Sequence, residues 1–199
     1  INYYKKALQL NPADGFIYVT LGNILQSTGD YENAYKSYKQ AQKLCPDYQY
    51  NYVNLASIES YLKKYDEAIE DYKKFINAYP ENQQARESLA RTYLETKNTD
   101  SAINEYQAAY ELCPETFKDY IYFGSALFQQ KKYEEATKIL SKALEQQPDS
   151  VKANSQMALA FYESDKYEEA KQYFKKTFEL EPNLHELRFD YGTTLFSVK

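Results

Sequence analysis

Six prolines occur in this chain, at Pro12, Pro46, Pro80, Pro114, Pro148 and Pro182, each 34 residues after the one before. No proline lies off that grid. A fixed period of this size marks a chain of repeated units, each burying its apolar face only against its neighbours. The 199 residues would otherwise suit one or two globular domains. Counted from the third residue after each proline, five complete units result: 15–48, 49–82, 83–116, 117–150 and 151–184. Residues 1–14 match the tail of a preceding unit, and 185–199 the head of a following one.

Each unit reads as two helices. In the first, Phe16, Tyr18, Val19, Leu21, Ile24 and Leu25 recur at amphipathic helical spacing. Tyr120, Ile121, Phe123, Ala126 and Leu127 do the same in the fourth unit. Short polar turns follow at Gly29-Asp30, Lys63-Lys64, Lys97-Asn98, Lys131-Lys132 and Asp165-Lys166. Turns of that length return the second helix antiparallel to the first. The second helices open on matching phrases: Tyr31 to Ala34, Tyr65 to Ala68, Thr99 to Ala102, Tyr133 to Ala136 and Tyr167 to Ala170. Their acidic residues suit the positive end of a helix dipole. A bulky column follows, Tyr38, Tyr72, Tyr106, Leu140 and Phe174, and the proline then ends the helix. Gly22, Ala56, Ala90, Gly124, Ala158 and Gly192 form a small column in the first helices that permits close helix packing.

These positions resemble the tetratricopeptide repeat family, whose 34-residue helix–turn–helix unit carries aromatic, Leu, Gly/Ala, Tyr, Ala and Pro at set places. Tyr18, Leu21, Gly22, Ala34, Tyr38, Ala41 and Pro46 match in the first full unit, with Leu25 where the family has Tyr. The resemblance spans the chain. It implies an all-α fold, a right-handed α-solenoid running as a single array over 1–199. Some positions depart from the pattern and predict irregular local packing. Arg86, Asn154 and Arg188 replace the family's Trp, which is Tyr18, Tyr52 and Tyr120 elsewhere. Phe75 and Thr177 replace its second Ala, and Glu59 stands where an aromatic is expected. Neither end carries the polar cap that closes natural arrays. The expectation is an excerpt of a longer protein.

The net charge of −5 and pI near 5.1 leave no basic face for nucleic acid. The chain holds no apolar run long enough to span a membrane and no signal-peptide pattern. Cys45 and Cys113 share a column two repeats apart, too far for a disulfide when packed helices lie about 8–10 Å apart. Both read as small buried apolar residues, and unpaired thiols suit a reducing, cytoplasmic setting. His185 is the only histidine and has no ligating cluster beside it. The scattered glycines form no phosphate loop. Glu134-Glu135 and Glu168-Glu169 recur with the repeat as first-turn acids, not as a catalytic pair. The reading is no enzyme, no metal and no cofactor.

The resemblance implies that first helices line a concave face, with columns two, five, six and nine turned toward a ligand. In the first unit these are Phe16, Val19, Thr20 and Asn23, and in the second Tyr50, Val53, Asn54 and Ser57. The third unit offers Gln84, Glu87, Ser88 and Arg91. Lys118, Ile121, Tyr122 and Ser125 follow in the fourth, and Lys152, Ser155, Gln156 and Leu159 in the fifth. Glu186, Phe189, Asp190 and Thr193 continue the columns. Asn23 and Asn54 can each donate to and accept from a peptide backbone. Lys118 and Lys152 suit acidic groups on the same ligand. Some family members hold a C-terminal carboxylate with two Asn and three basic residues. Here the basic places are Val19, Gln84 and Ser88, which excludes that ligand. The chain is expected to be a non-enzymatic protein–protein interaction scaffold that takes a partner peptide or helix in this groove. The alternatives are a structural subunit packed laterally in a large assembly, and a substrate-presenting array of a larger enzyme such as a glycosyltransferase.

Overall fold

The computed structural model describes residues 2–115 and 118–198. The junction of the third and fourth repeats, at 116 and 117, lies outside the described residues. Twelve α-helices are described, and no strand. They fall into two compact units, one up to Pro114 and one from Glu115.

Unit 1 holds α1 (Asn2–Leu10), α2 (Gly15–Ser27), α3 (Tyr31–Leu44), α4 (Tyr50–Tyr61), α5 (Tyr65–Ala78), α6 (Gln83–Glu95) and α7 (Thr99–Leu112). Unit 2 holds α8 (Tyr120–Gln129), α9 (Tyr133–Gln146), α10 (Val151–Glu163), α11 (Tyr167–Leu180) and α12 (Arg188–Ser197), the last preceded by a 3₁₀ turn, His185–Leu187. The pairs α2/α3, α4/α5, α6/α7, α8/α9 and α10/α11 are the expected helix–turn–helix units. The largest fully buried side chains are Tyr38, Leu55, Ile58, Phe75, Leu89 and Tyr106 in unit 1, and Phe123, Leu127, Leu140, Met157 and Phe174 in unit 2. No described helix is long and apolar enough to cross a membrane.

The prolines act as the sequence predicts. Each second helix stops two residues before its proline, and the residue between turns extended, with ψ of 68° at Cys45, 70° at Tyr79 and 81° at Gln147. Asp14, Asn82 and Ser150 cap the first helices that follow by accepting backbone N–H groups.

The turn inside each unit carries a feature that composition hides. One residue per turn is left-handed: Gly29 at φ 80°, Lys63 at 61°, Lys97 and Lys131 at 59°, and Asp165 at 58°. These lie 34 residues apart, so one backbone geometry is used five times although only Gly29 is suited to it. A left-handed L-residue costs about 1 kcal/mol relative to glycine. Lys63→Gly and Lys131→Gly are therefore expected to raise stability by about 1 kcal/mol, and Gly29→Ala to lower it by a similar amount, in urea unfolding at matched slopes.

The departures from the repeat pattern prove ordered, which corrects the expectation of irregular packing. Tyr52 donates its hydroxyl to the Pro46 carbonyl at 3.1 Å. Arg86 donates to Pro80 at 3.0 Å, Asn154 to Pro148 at 2.9 Å and Arg188 to Pro182 at 3.3 Å. Four members of that column thus place a side-chain donor on the carbonyl of the proline six residues before, and aromatic, guanidinium and amide groups all serve. Glu59 is fully buried because Lys39 of the preceding repeat reaches it at 3.0 Å. Thr177 is buried with its hydroxyl donated to the Tyr173 carbonyl at 2.8 Å. Phe75 is buried against Tyr50 and Tyr79. Cys45 and Cys113 are half-buried rather than buried, and neither is in a disulfide. The Cys45 thiol lies 3.0 Å from the Ala41 carbonyl, and burial, with Asp14 nearby, pushes its pKa up.

Candidate binding face

In unit 1 the first helices form a row. α2 touches α4 and α4 touches α6, whereas α3, α5 and α7 make no comparable contact with one another. The row is thus the tighter, inner side of this unit. Amphipathic first helices turn their bulkiest apolar residues toward the second helices, which leaves the expected columns along the row.

Most predicted residues of unit 1 lie on that face. Phe16 and Tyr50 are exposed, and Asn23, Ser57, Gln84 and Arg91 are exposed beside them. Thr20, Val53, Asn54 and Ser88 are half-buried. Two do not belong: Val19 is 6% exposed and packs into the core with Leu21 and Leu25, and Glu87 is 7% exposed. In α2 and α6 column five lies close enough to the neighbouring helices to bury its residue, whereas Val53 of α4 stays half-buried.

Two depressions open along α4 and α6. One, of about 310 Å³, is lined by Tyr50, Val53, Asn54, Phe75, Gln84 and neighbouring residues. The other, of about 400 Å³, is lined by Ser57, Ser60, Lys63, Tyr72, Arg91 and Thr92 among others. Ser57, Tyr72 and Ser88 belong to both. Tyr50 also stands in a run of rings. Phe16 meets Tyr48 edge-on at 5.0 Å, Tyr48 meets Tyr50 at 6.0 Å, and Tyr50 meets Tyr79 at 5.0 Å. Sequence reasoning missed Tyr48 and Tyr79. Their only signal is that each sits within two residues of a proline, where a side chain from one repeat reaches the next.

The two asparagines are held in one network. Buried Tyr38 donates its hydroxyl toward Asn23 Oδ1 at 2.7 Å and Gln26 Oε1 at 2.8 Å. Asn54 Nδ2 donates to the same Asn23 Oδ1 at 3.3 Å. Burial raises the Tyr38 phenol pKa well above its ordinary value, so it stays a donor. Asn23 Nδ2 and Asn54 Oδ1 have no hydrogen-bond partner among the described residues. One donor and one acceptor are therefore fixed in place and turned outward.

Unit 2 presents a smaller set. Lys118 and Lys152 are exposed and Ile121 is half-buried. Tyr122, 43% exposed, lies beneath Lys152, whose Nζ is 4.5 Å from the ring centroid. Gln156 donates Nε2 to Ser125 Oγ, and Ser125 donates in turn to the Ile121 carbonyl at 2.7 Å. Here the polar columns of α8 and α10 pair with each other. Two tyrosines of the second helices, Tyr35 and Tyr173, are not open either. Tyr35 is half-buried under Lys64 at 4.6 Å, and Tyr173 is half-buried and stacked on Phe161. No described cluster of His, Cys, Asp and Glu could hold a metal ion.

Models of the tetratricopeptide repeat match residues 16–48, 53–115 and 127–196, which together span most of the chain. A comparison with curated proteins finds no match. Among solved structures, YrrB, a TPR protein with an unusual peptide-binding site, is similar at a TM-score of 0.83 and 22% identity, covering 96% of this chain and 97% of its own. The MamA protein is similar at 0.77 and 23% identity, covering 87% of this chain and 95% of its own. A tetratricopeptide repeat protein from Parabacteroides merdae ATCC 43184 is similar at 0.76 and 22% identity, covering 92% of this chain and 73% of its own. At these identities the likeness is one of fold.

Proposed function

The chain belongs to the tetratricopeptide repeat family, and from that premise we propose that it is a non-enzymatic protein-interaction scaffold holding an extended segment of a partner protein against α2, α4 and α6. The observation that carries this reading is the pair Asn23 and Asn54. Tyr38 and the contact between the two amides fix their orientation, and the remaining N–H donor and C=O acceptor face outward. An extended segment has unpaired backbone groups to give them, whereas a helix has already spent its own. Tyr50, Val53 and Phe75 line the depression beside Asn54 and suit an apolar anchor on the same segment. The peptide-binding site named for YrrB is consistent with such a use of the fold.

The test is a Tyr50→Ala/Asn54→Ala variant of the full chain, compared with the wild type in affinity enrichment from the source cells by mass spectrometry. Loss of an anchor ring and of an oriented amide each weakens binding about tenfold or more, so the specific proteins fall about a hundredfold. Both residues are partly exposed, and the thermal transition is expected to stay within a few degrees. Equal enrichment by variant and wild type would remove unit 1's inner face as the binding surface.

A further inference from the structure

The interfaces α2/α4 and α4/α6 place the same three columns above the same buried phenol but fill them differently. Over Tyr38 stand Asn23, Gln26 and Asn54, and their amides converge on its hydroxyl and on one another. One repeat later the corresponding residues over Tyr72 are Ser57, Ser60 and Ser88. A serine is shorter than an asparagine or glutamine and carries no amide. The space the amides occupy over Tyr38 is open over Tyr72, and the depression of about 400 Å³ lies there.

The walls of that depression combine hydroxyl and charged groups with the rings of Tyr61 and Tyr65. Ser57, Ser60 and Ser88 face the Tyr72 phenol, which is 3% exposed at the floor. Ser60 and Thr92 share a hydrogen bond of 3.0 Å, and Thr92 donates to the Ser88 carbonyl at 2.8 Å, so these two hold the wall. Arg91 stands at the rim with Nη2 3.4 Å from Ser88 Oγ, and Lys63 lies in the adjoining turn. The one carboxylate in the lining, Glu95, already accepts the Tyr65 hydroxyl at 3.3 Å. The hole thus has hydroxyls below, with two cations and one carboxylate at its edge, and is large enough for a side chain of a bound segment.

We propose that this hole is a subsite for a carboxylate side chain, aspartate or glutamate, of the bound segment. The inference rests on the reading of the inner face as a peptide groove and adds a residue to its ligand. The carboxylate takes the place that the amides fill one repeat earlier, accepts from Ser57 and Ser88, and pairs with the Arg91 guanidinium. A carboxamide of the same shape fits the hydroxyls but cannot form the ion pair with the guanidinium. Because the hole opens into the depression lined by Tyr50 and Val53 across Ser57, Tyr72 and Ser88, the acid belongs a few residues from the apolar anchor.

The probe is a randomised twelve-residue peptide library displayed on phage and selected on the full chain, with the recovered peptides synthesised and their affinities measured. The expected result is an Asp or Glu at a fixed distance from an apolar residue. Replacing that acid by its amide, or Arg91 by Gln, then weakens binding about tenfold or more. A second variant, Ser57→Asn/Ser60→Gln/Ser88→Asn, copies the filled interface one repeat earlier and is expected to lose acidic peptides while melting cooperatively. Peptides that depend on Tyr50 and Asn54 but carry no fixed acid, or bind equally to Arg91→Gln, would overturn the subsite and leave the groove standing. Recovery of no peptide sensitive to Tyr50→Ala/Asn54→Ala would overturn both.

Discussion

Replacing Lys39 by Ala is expected to destabilise unit 1 by about 3 kcal/mol at neutral pH, and the loss should deepen as pH rises. Glu59 is fully buried, and Lys39 Nζ stands 3.0 Å from its Oε1. Lys39 acts on the carboxylate both as a hydrogen-bond donor and as a charge, and no other donor reaches either oxygen. Breaking a buried pair from one side leaves a charge with nothing to offset its desolvation, a cost of about 3–5 kcal/mol. Lys39 is 31% exposed, so water already screens part of the attraction, and the lower end applies.

The sign of the pH effect follows from the carboxyl. Burial holds Glu59 above the usual carboxylate range; Lys39 pulls it back, and Asp71 and Glu67 push it further up. The folded chain therefore binds this proton more tightly than the unfolded one. Its contribution is fully present below the unfolded value and is lost as pH rises through the folded one. Burial lowers the Lys39 value, but Glu59, with Asp71 and Tyr35, outweighs it and leaves it raised, so Lys39 contributes stability that is lost only in the alkaline range. Without Lys39 nothing lowers the Glu59 value, the window widens upward, and more stability is gone by neutral pH. Lys39→Met/Glu59→Leu removes both charges and is expected to recover most of the loss. Urea unfolding of the three proteins from pH 4 to pH 8 reads this directly; a Lys39→Ala profile that parallels the wild type would contradict it.

Valine at position 22 is expected to cost about 3 kcal/mol, and valine at position 192 almost nothing. A Cβ at Gly22 would lie 2.5 Å from Tyr38 Cε1 and 2.7 Å from Cδ1. That ring cannot yield, because it is fully buried and its hydroxyl is tied to Asn23 and Gln26. The helices must part, and overpacking of this kind costs about 1–3 kcal/mol, with a branched side chain at the upper end. Gly124 is in the same position against Leu140, where the added Cβ would lie 2.6 Å from Cγ. At Gly192 nothing lies within 4 Å. There valine gains a few tenths of a kcal/mol from helix propensity alone. Thermal unfolding of Gly22→Val and Gly192→Val should separate widely; equal transitions would show that this column does not set the helix spacing.

The repeat, the helix pairs and the role of each proline are legible in the sequence because they recur in phase, and recurrence removes the ambiguity of any one segment. What recurrence hides is a column filled by different groups doing one task. Arg86 and Asn154 look like departures from an aromatic column until their bonds to Pro80 and Pro148 show them doing what Tyr52 does to Pro46. Glu59 looks misplaced because its partner Lys39 lies on another helix, outside any local pattern. Lys63 and Lys131 give no sign of a left-handed backbone, since the turn imposes it against their preference. On the candidate face, Asn23, Tyr50 and Asn54 follow from the columns that the family resemblance implies. The burial of Val19 and Glu87, and the space left by Ser57, Ser60 and Ser88, depend on how closely neighbouring helices approach.

The central claim is that a partner segment lies along the inner row of unit 1. The most direct measurement places a photo-crosslinking residue in the full chain, in separate variants, at Ser57 and Gln84 on that row and at Lys36 and Glu67 on exposed positions of the second helices. The account predicts that irradiation in the source cells yields the same crosslinked polypeptide from Ser57 and Gln84, and none from Lys36 or Glu67. Crosslinks confined to Lys36 and Glu67 would contradict it and move the binding surface to the second helices.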